Sequence, residues 1–497
     1  MIDMQEEKQM SNNRKRLTLI LVCVLLLSIL SGCASNKTSG KTDPKNPTTI
    51  SVWHYYNGAV MNAFDRLVKE FNETVGTEQG IIVEGHGMGS VGDLQTAVMS
   101  SANKEVGSQP MPDIFASYAD TALAAEKLGI LADLGQYFTE EELAAYIPSY
   151  LTEGRIGEKG ELRIFPIAKS TEIFMLNETD WQPFATATGS SHADLATVEG
   201  LARVAKAYYE WTDAQTPDVA NDGKAFYGRD AIANMFIIGA KQLGEELFKV
   251  ENGKVIITAN KDTIRRIWDA YYVPFVSGHF TAIGRYRSDD AKVGSLLSYV
   301  GSTSSAMYFP LEVTLDGATH PIEATILPAP VFEGGAPVLV QQGAGMVVTK
   351  GTPASEYASA TFLKWFTDTD TNIQFSALSG YMPVKTEANN YDHFISVISE
   401  NNIEQDDISK ITLKTAFEDI NRSEMYTSQA FDGGSAARDI LNYSLADKAV
   451  ADREAVLALL AGGASQEEAL SGFLNDTNFE AWFAEFDAKL QETIAGQ

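Results

Sequence analysis

Gly87-Met88-Gly89-Ser90-Val91-Gly92 matches G-x-G-x-x-G between an apolar strand pattern and a helical one. Free backbone N–H groups at such a helix start can bind phosphates, carboxylates or hydroxyls. A dinucleotide site also requires an acidic residue about 20 positions on, at the end of the next strand. Asp113 instead begins its strand. The turn therefore reads as a general polar-ligand element, with Ser90 and Asp93 as candidates, although Asp93 is first a helix cap. The six histidines are scattered without an i,i+4 pair or H-E-x-x-H, and G-x-S-x-G does not occur. The sequence therefore offers neither a zinc-site motif nor a serine elbow. The 66 carboxylates show no spacing that singles out a glycosidase pair.

Aromatic clusters are more telling. Trp53-His54-Tyr55-Tyr56-Asn57, Tyr118, Tyr308-Phe309 and Tyr381 fall at strand ends and turns. In open α/β sheets ligands sit beyond the carboxyl ends of strands. Aromatic faces there stack on the C–H surface of sugars while amides and hydroxyls fix orientation.

The elements that must position these residues alternate. Thr49–Trp53 has strand periodicity, and Val60, Phe64, Leu67 and Phe71 follow at helical spacing. Residues 80–85 and 113–116 are further strands, backed by helices over 93–101 and 120–128. This predicts an α/β layer structure with a mostly parallel sheet. Thr352-Pro353 caps a helix with Ala358, Phe362, Trp365 and Phe366 on one face, and Phe479, Phe483, Phe486 and Leu490 form a C-terminal stripe.

The chain has 497 residues and a net charge of −28, which argues against nucleic-acid binding. Both cysteines, Cys23 and Cys33, fall near the start, so neither a disulfide framework nor a cysteine metal cage serves the rest. Arg14-Lys15-Arg16, an apolar run over 17–30, and Leu30-Ser31-Gly32-Cys33 read as a leader ending in a lipobox-like motif. Residues 1–32 are the expected signal peptide and Cys33 the lipidated residue, with Met1 and Met10 both open as the start. Residues 33–47 read as a flexible tether. The expected place is the extracytoplasmic face of the cell membrane, held by the lipid.

Taken in order along the chain, several segments resemble the extracellular solute-binding protein family 1, capture components of ABC importers. They are Val52-Trp53-His54, Met111-Pro112-Asp113-Ile114, residues 129–134, Phe165-Pro166, Ala306-Met307, residues 326–330, residues 343–349 and Ser379-Gly380-Tyr381-Met382-Pro383-Val384. The resemblance implies an α/β, two-lobe, type II periplasmic-binding-protein-like fold with a hinge and several chain crossovers. It implies crossings at Phe165–Thr171, Met307–Phe309 and near Gly345. Lobe one is then 48–168 and 309–345, and lobe two 169–308 and 346–497. It further implies a non-catalytic monomer without cofactor, delivering a carbohydrate to membrane permease subunits. Local matches to glycerol-3-phosphate-binding members add Ser170, Gly343, Tyr381 and Arg438 to the site, with Glu172 and Glu312 as nearby carboxylates that repel phosphate. The expected ligand-binding set is Trp53, Tyr55, Tyr56, Asn57, Ser90, Asp93, Tyr118, Ser170, Glu172, Tyr308, Glu312, Gly343, Tyr381 and Arg438. Arg438 is expected in an irregular small-residue segment. A glycerophosphate-type ligand, a surface-anchored hydrolase and a sensor subunit remain as competing readings.

The leader makes one prediction. Cys33→Ala should move the chain from the membrane fraction to the medium, or leave it held by an uncleaved apolar run. Membrane retention with the leader removed would refute the lipobox reading, because a diacylglyceryl group is what makes the anchor firm.

Overall fold

The computed structural model describes residues 42–157, 159–251, 254–258, 260–315 and 317–495. Cys33, the leader and residues 33–41 of the expected tether lie outside these. Residues 42–47 are not a loose tether: Thr42 donates to the Gln79 carbonyl at 2.5 Å and Thr48 N–H to the Gly80 carbonyl at 2.8 Å. Gly80 has φ +72°, and a Cβ there would fall 2.4 Å from the Asp43 backbone.

Two sheets organise the chain. The first is ordered Ile81–Gly87, Thr48–His54, Ile114–Ser117, Gly345–Val348, Ile164–Phe165. Its first three strands are parallel and Gly345–Val348 is antiparallel to its neighbours. Helices Gly58–Glu73 and Val91–Ala102 make the crossovers that parallel strands require. The first helix buries Ala63, Phe64, Leu67, Val68 and Phe71, an i, i+3, i+4 stripe, against helix Pro353–Phe366 and the sheet. The second begins at a capping box of Ser90 and Asp93.

The second sheet is ordered Ala324–Pro328, Glu172–Asn177, Ser298–Ser302, Tyr227–Arg229. Only the last pair is parallel, so the mostly parallel expectation fails here. Glu172–Asn177 leaves the crossing outward and both its neighbours return toward it. Helices Val198–Asp213, Ile232–Gln242, Lys261–Val276, Gly434–Ala461 and Asp476–Ala495 build the surrounding core.

The first sheet has one hydrophobic core. The second is buried on one face by a second core and on the other by a smaller cluster that includes Ile173, Met175, Phe309 and Ile326, and the lobes follow from them. Residues 344–425 pack into the first core, while Ala324–Pro328 belongs to the second sheet. The expected assignment of 309–345 to lobe one and 346–497 to lobe two is therefore corrected. No passage between sheets occurs at Met307–Phe309, because the chain beyond it pairs back onto Glu172–Asn177. The passages run from Phe165 to Glu172, from Val340 to Gly345, and from Met425 to Phe431.

The crossings are joined by side chains and backbone. Ser170 and Gln342 exchange backbone hydrogen bonds at 2.8 and 3.1 Å, as do Lys169 and Met382 at 3.0 and 2.6 Å. Fully buried Asn372 donates to the Ile167 carbonyl at 2.7 Å and accepts from Val384 N–H at 2.9 Å. Asn372→Ala should leave both backbone groups unpaired and lower unfolding free energy by about 2–4 kcal/mol, read by denaturant melts.

Candidate ligand cavity between the lobes

A cavity of about 320 Å³ lies between the two cores. From the first lobe come Tyr55, just past strand Thr48–His54; Tyr118, capping helix Ala119–Lys127; Asp120 in that helix; Glu153; and the face of helix Val91–Ala102 that carries Leu94, Gln95 and Val98. The second lobe gives Asn234 and Ile237 of helix Ile232–Gln242, the tilted ring pair Phe248 and Phe431, and Arg438. Gln341 and Gln342 of the middle crossing, with Ser428 and Gln429 of the last, close the wall.

Alternation along Val338–Gln342 explains the hinge wall. Val338 and Val340 enter the second core and Leu339 the first. Gln341 continues toward the first lobe, donating to the Ser149 carbonyl at 3.3 Å and to Glu153 Oε2. Gln342 turns to the second lobe, where its Oε1 accepts from Asn234 Nδ2 at 3.2 Å.

Two charged groups from opposite lobes line the cavity. Arg438 donates through Nη2 to Asn234 Oδ1 at 2.6 Å. It lies in the second turn of helix Gly434–Ala461, which corrects the expected irregular segment; Gly434 and Ala437 are buried helix residues. Asp120 has no hydrogen bond or ion pair among the described residues. It lies so close to the N-terminus of that helix that a Cβ on Gly434 would come within 2.6 Å of its Oδ1. Burial raises its pKa to about 6, while Arg438 pulls it the other way. Burial likewise raises the hydroxyls of Tyr55 and Tyr118, which hydrogen-bond each other and stay neutral.

Of the residues expected from sequence, Tyr55, Tyr118 and Arg438 line the cavity. Tyr381 abuts it, with its hydroxyl near Tyr55 and Ser304. The others lie elsewhere. Trp53 is 4% exposed in the first core, and Tyr56 stacks on His54. His54 is also core: burial holds its pKa down at about 4, and its Nδ1 accepts from Tyr56 N–H at 3.2 Å. Asn57 is exposed at the start of its helix. Ser90 and Asp93 are occupied by their capping box, and Asp113 accepts from Ser51 N–H at 2.9 Å. Ser170 and Gly343 are hinge backbone; Gly343 has φ +102° and a Cβ there would lie 3.1 Å from the Ala168 carbonyl. Glu172 is 6% exposed and pairs with Arg229 and Asn234 behind the wall. Tyr308 and Glu312 are exposed on the second lobe. Sequence reasoning missed Gln95, Asp120, Glu153, Asn234, Gln341 and Gln342. A lone asparagine in the apolar run 232–240, and two glutamines between Val338-Leu339-Val340 and Gly343, were the available signals. Among the described residues no His/Cys/Asp/Glu group could hold a metal ion, and no helix is long and apolar enough to cross a membrane.

Residues 66–401 match the family described as bacterial extracellular solute-binding protein. No curated protein sequence matches. Among solved structures, the cyclic α-maltosyl-1,6-maltose binding protein of Arthrobacter globiformis has a TM-score of 0.65 at 17% identity, covering 91% of this chain and all (100%) of that one. UgpB of Mycobacterium tuberculosis, in complex with glycerophosphocholine, gives 0.61 at 17%, with 90% and 100% covered. The galacto-N-biose-/lacto-N-biose I-binding protein of Bifidobacterium longum gives 0.61 at 14%, with 91% and 99% covered. The shared fold is the two-lobe solute-binding one.

Asp120 carries a prediction. Its folded pKa is above the unfolded value of 3.8, so its neutral form is favoured by folding and the carboxylate costs stability as pH rises through about 6. Asp120→Asn should therefore raise the melting temperature at pH 7, by about 1–3 kcal/mol of unfolding free energy. The gain should vanish near pH 4. An equal gain at both pH values would mean that ionisation of Asp120 is not its cause.

Proposed function

We propose, given that the chain belongs to the bacterial extracellular solute-binding protein family, that it captures a carbohydrate between its lobes and delivers it to the membrane permease subunits of an ABC importer. The family and the structural neighbours are binding proteins, and an extracytoplasmic location goes with the family. Capture without turnover, a monomeric state and a lipid anchor on Cys33 belong to the same proposal.

The wall of the cavity carries this reading. Amides from Gln95, Asn234, Gln341, Gln342 and Gln429 alternate with the rings of Tyr55, Tyr118, Phe248 and Phe431. Sugars need both, since their hydroxyls are donors and acceptors and their ring faces are apolar. Asp120 offers an unshared acceptor, and Arg438 keeps donors beyond the one given to Asn234. The acidic pair Asp120 and Glu153 outnumbers Arg438 in the lining, which disfavours a phosphate-bearing solute.

Thermal shift with maltotriose, lacto-N-biose and glycerophosphocholine tests the proposal. A saccharide should raise the melting point, stabilising by about 2.7 kcal/mol at a hundredfold excess over Kd. Arg438→Ala should weaken that binding about tenfold or more with little change in the melting point without sugar. Stabilisation by glycerophosphocholine alone, fading as salt rises, would favour the phosphate ligand instead.

A further inference from the structure

Lys169 is 1% exposed, and a buried ammonium persists only where it is fully paired. Its Nζ donates to Glu153 Oε2 at 2.6 Å and to the Gly343 carbonyl at 2.9 Å. Gln341 donates to the same Oε2. These four residues come from three places. Glu153 ends helix Pro148–Glu153 of the first lobe, Lys169 sits in the first crossing, and Gln341 and Gly343 sit in the second. Glu153 Oε1 has no partner among the described residues, is not enclosed, and belongs to a side chain that lines the cavity.

We propose that Glu153, Lys169 and Gln341 form a hinge latch: one carboxylate oxygen ties both crossings to the first lobe, and the other is presented to the cavity. The latch fixes the resting angle between the lobes. Lys169 lies outside the cavity lining and acts as a positioning residue through Glu153, while Gln341 both lines the cavity and ties the second crossing to Glu153. The cavity half of this inference rests on the saccharide reading. A sugar hydroxyl donating to Oε1 then bonds to the group that holds the hinge, which couples occupancy to lobe angle. Neighbouring Gln342 makes the matching tie to the second lobe through Asn234, so the crossing strand grips both walls.

The test measures lobe angle without sugar. Nitroxides on Lys69→Cys and Lys206→Cys, both exposed and on opposite lobes, report the interlobe distance in the full chain with Cys23→Ser and Cys33→Ser. Lys169→Met and Gln341→Ala should each broaden and displace the distance distribution well below their melting temperatures. The pair Lys169→Met/Glu153→Gln should do no more than Glu153→Gln alone, because the three residues act as a unit. If Lys169→Met does not fold, Gln341→Ala and the neutralised pair carry the test. Distributions matching the unaltered chain in Gln341→Ala and in the neutralised pair would overturn the latch. With maltotriose as probe, Lys169→Met should raise Kd several-fold. No binding of maltotriose or lacto-N-biose by the unaltered chain would count against the saccharide reading, and the distance data would still decide the latch.

Discussion

Backbone that leaves one sheet for another loses its ladder partners, and inside a protein those N–H and C=O groups must be paired again. That requirement is most severe between Phe165 and Glu172, where residues 167–172 are all buried. Here Ser170 pairs with Gln342, Lys169 with Met382, and Asn372 reaches the Ile167 carbonyl. The three segments that solve the problem come from far apart in sequence. They can meet only if the chain passes between lobes more than once. Lobe composition, the corrected segment boundaries and the placing of the cavity all follow from this bundle of short backbone bridges.

The cavity inherits its polarity from the same constraint. A crossing strand alternates sides, so two successive glutamines serve two lobes and still face one space. Asn234 shows the consequence on the second lobe. It is fully buried, donates to Glu172 and Gln342, and accepts from Arg438. The arginine is thus held in place before any ligand arrives, which lowers the ordering cost of binding. Asp120 has no such support. Its carboxylate is a standing cost to the folded chain, the pattern expected where a group is kept for what it binds.

Much of the fold was legible from periodicity. The strand–helix alternation of the first lobe, the Thr352 cap and the aromatic stripe of Asp476–Ala495 all follow local rules. The cap read at Asp93, by contrast, is Ser90, with Asp93 as its partner three residues on. Lobe membership was not legible, because Gly345–Val348 and Ala324–Pro328 are both short apolar strands. Only pairing tells which sheet takes each. The site was legible where a side chain follows a strand end, as with Tyr55 and Tyr118. Tyr56 shows the limit of that rule: one residue further on, the side chain turns inward and stacks on His54. Amide residues on helices and crossings have no characteristic spacing, so Gln95, Asn234 and the two glutamines emerge only from tertiary placement.

Helix Asp407–Ile420 of the first lobe lies along Ala324–Pro328 and Thr303–Tyr308 of the second, and its Ile408 packs on the apolar cluster that holds Ile173, Met175 and Ile326. Lys127 pairs with Asp432 across the cleft, with both side chains about half exposed, and such pairs contribute only about 0–1 kcal/mol. Gly380 lies against Thr303 and Ser304, where even a Cβ would sit 3.1 Å from backbone atoms, so this contact is close but small. On the proposed function, a ligand bonding at once to Asp120 of one lobe and Arg438 of the other would add to these contacts. Occupancy would then favour closure, because a bound molecule shifts the lobe equilibrium only by interactions it makes in the closed arrangement and not in the open one.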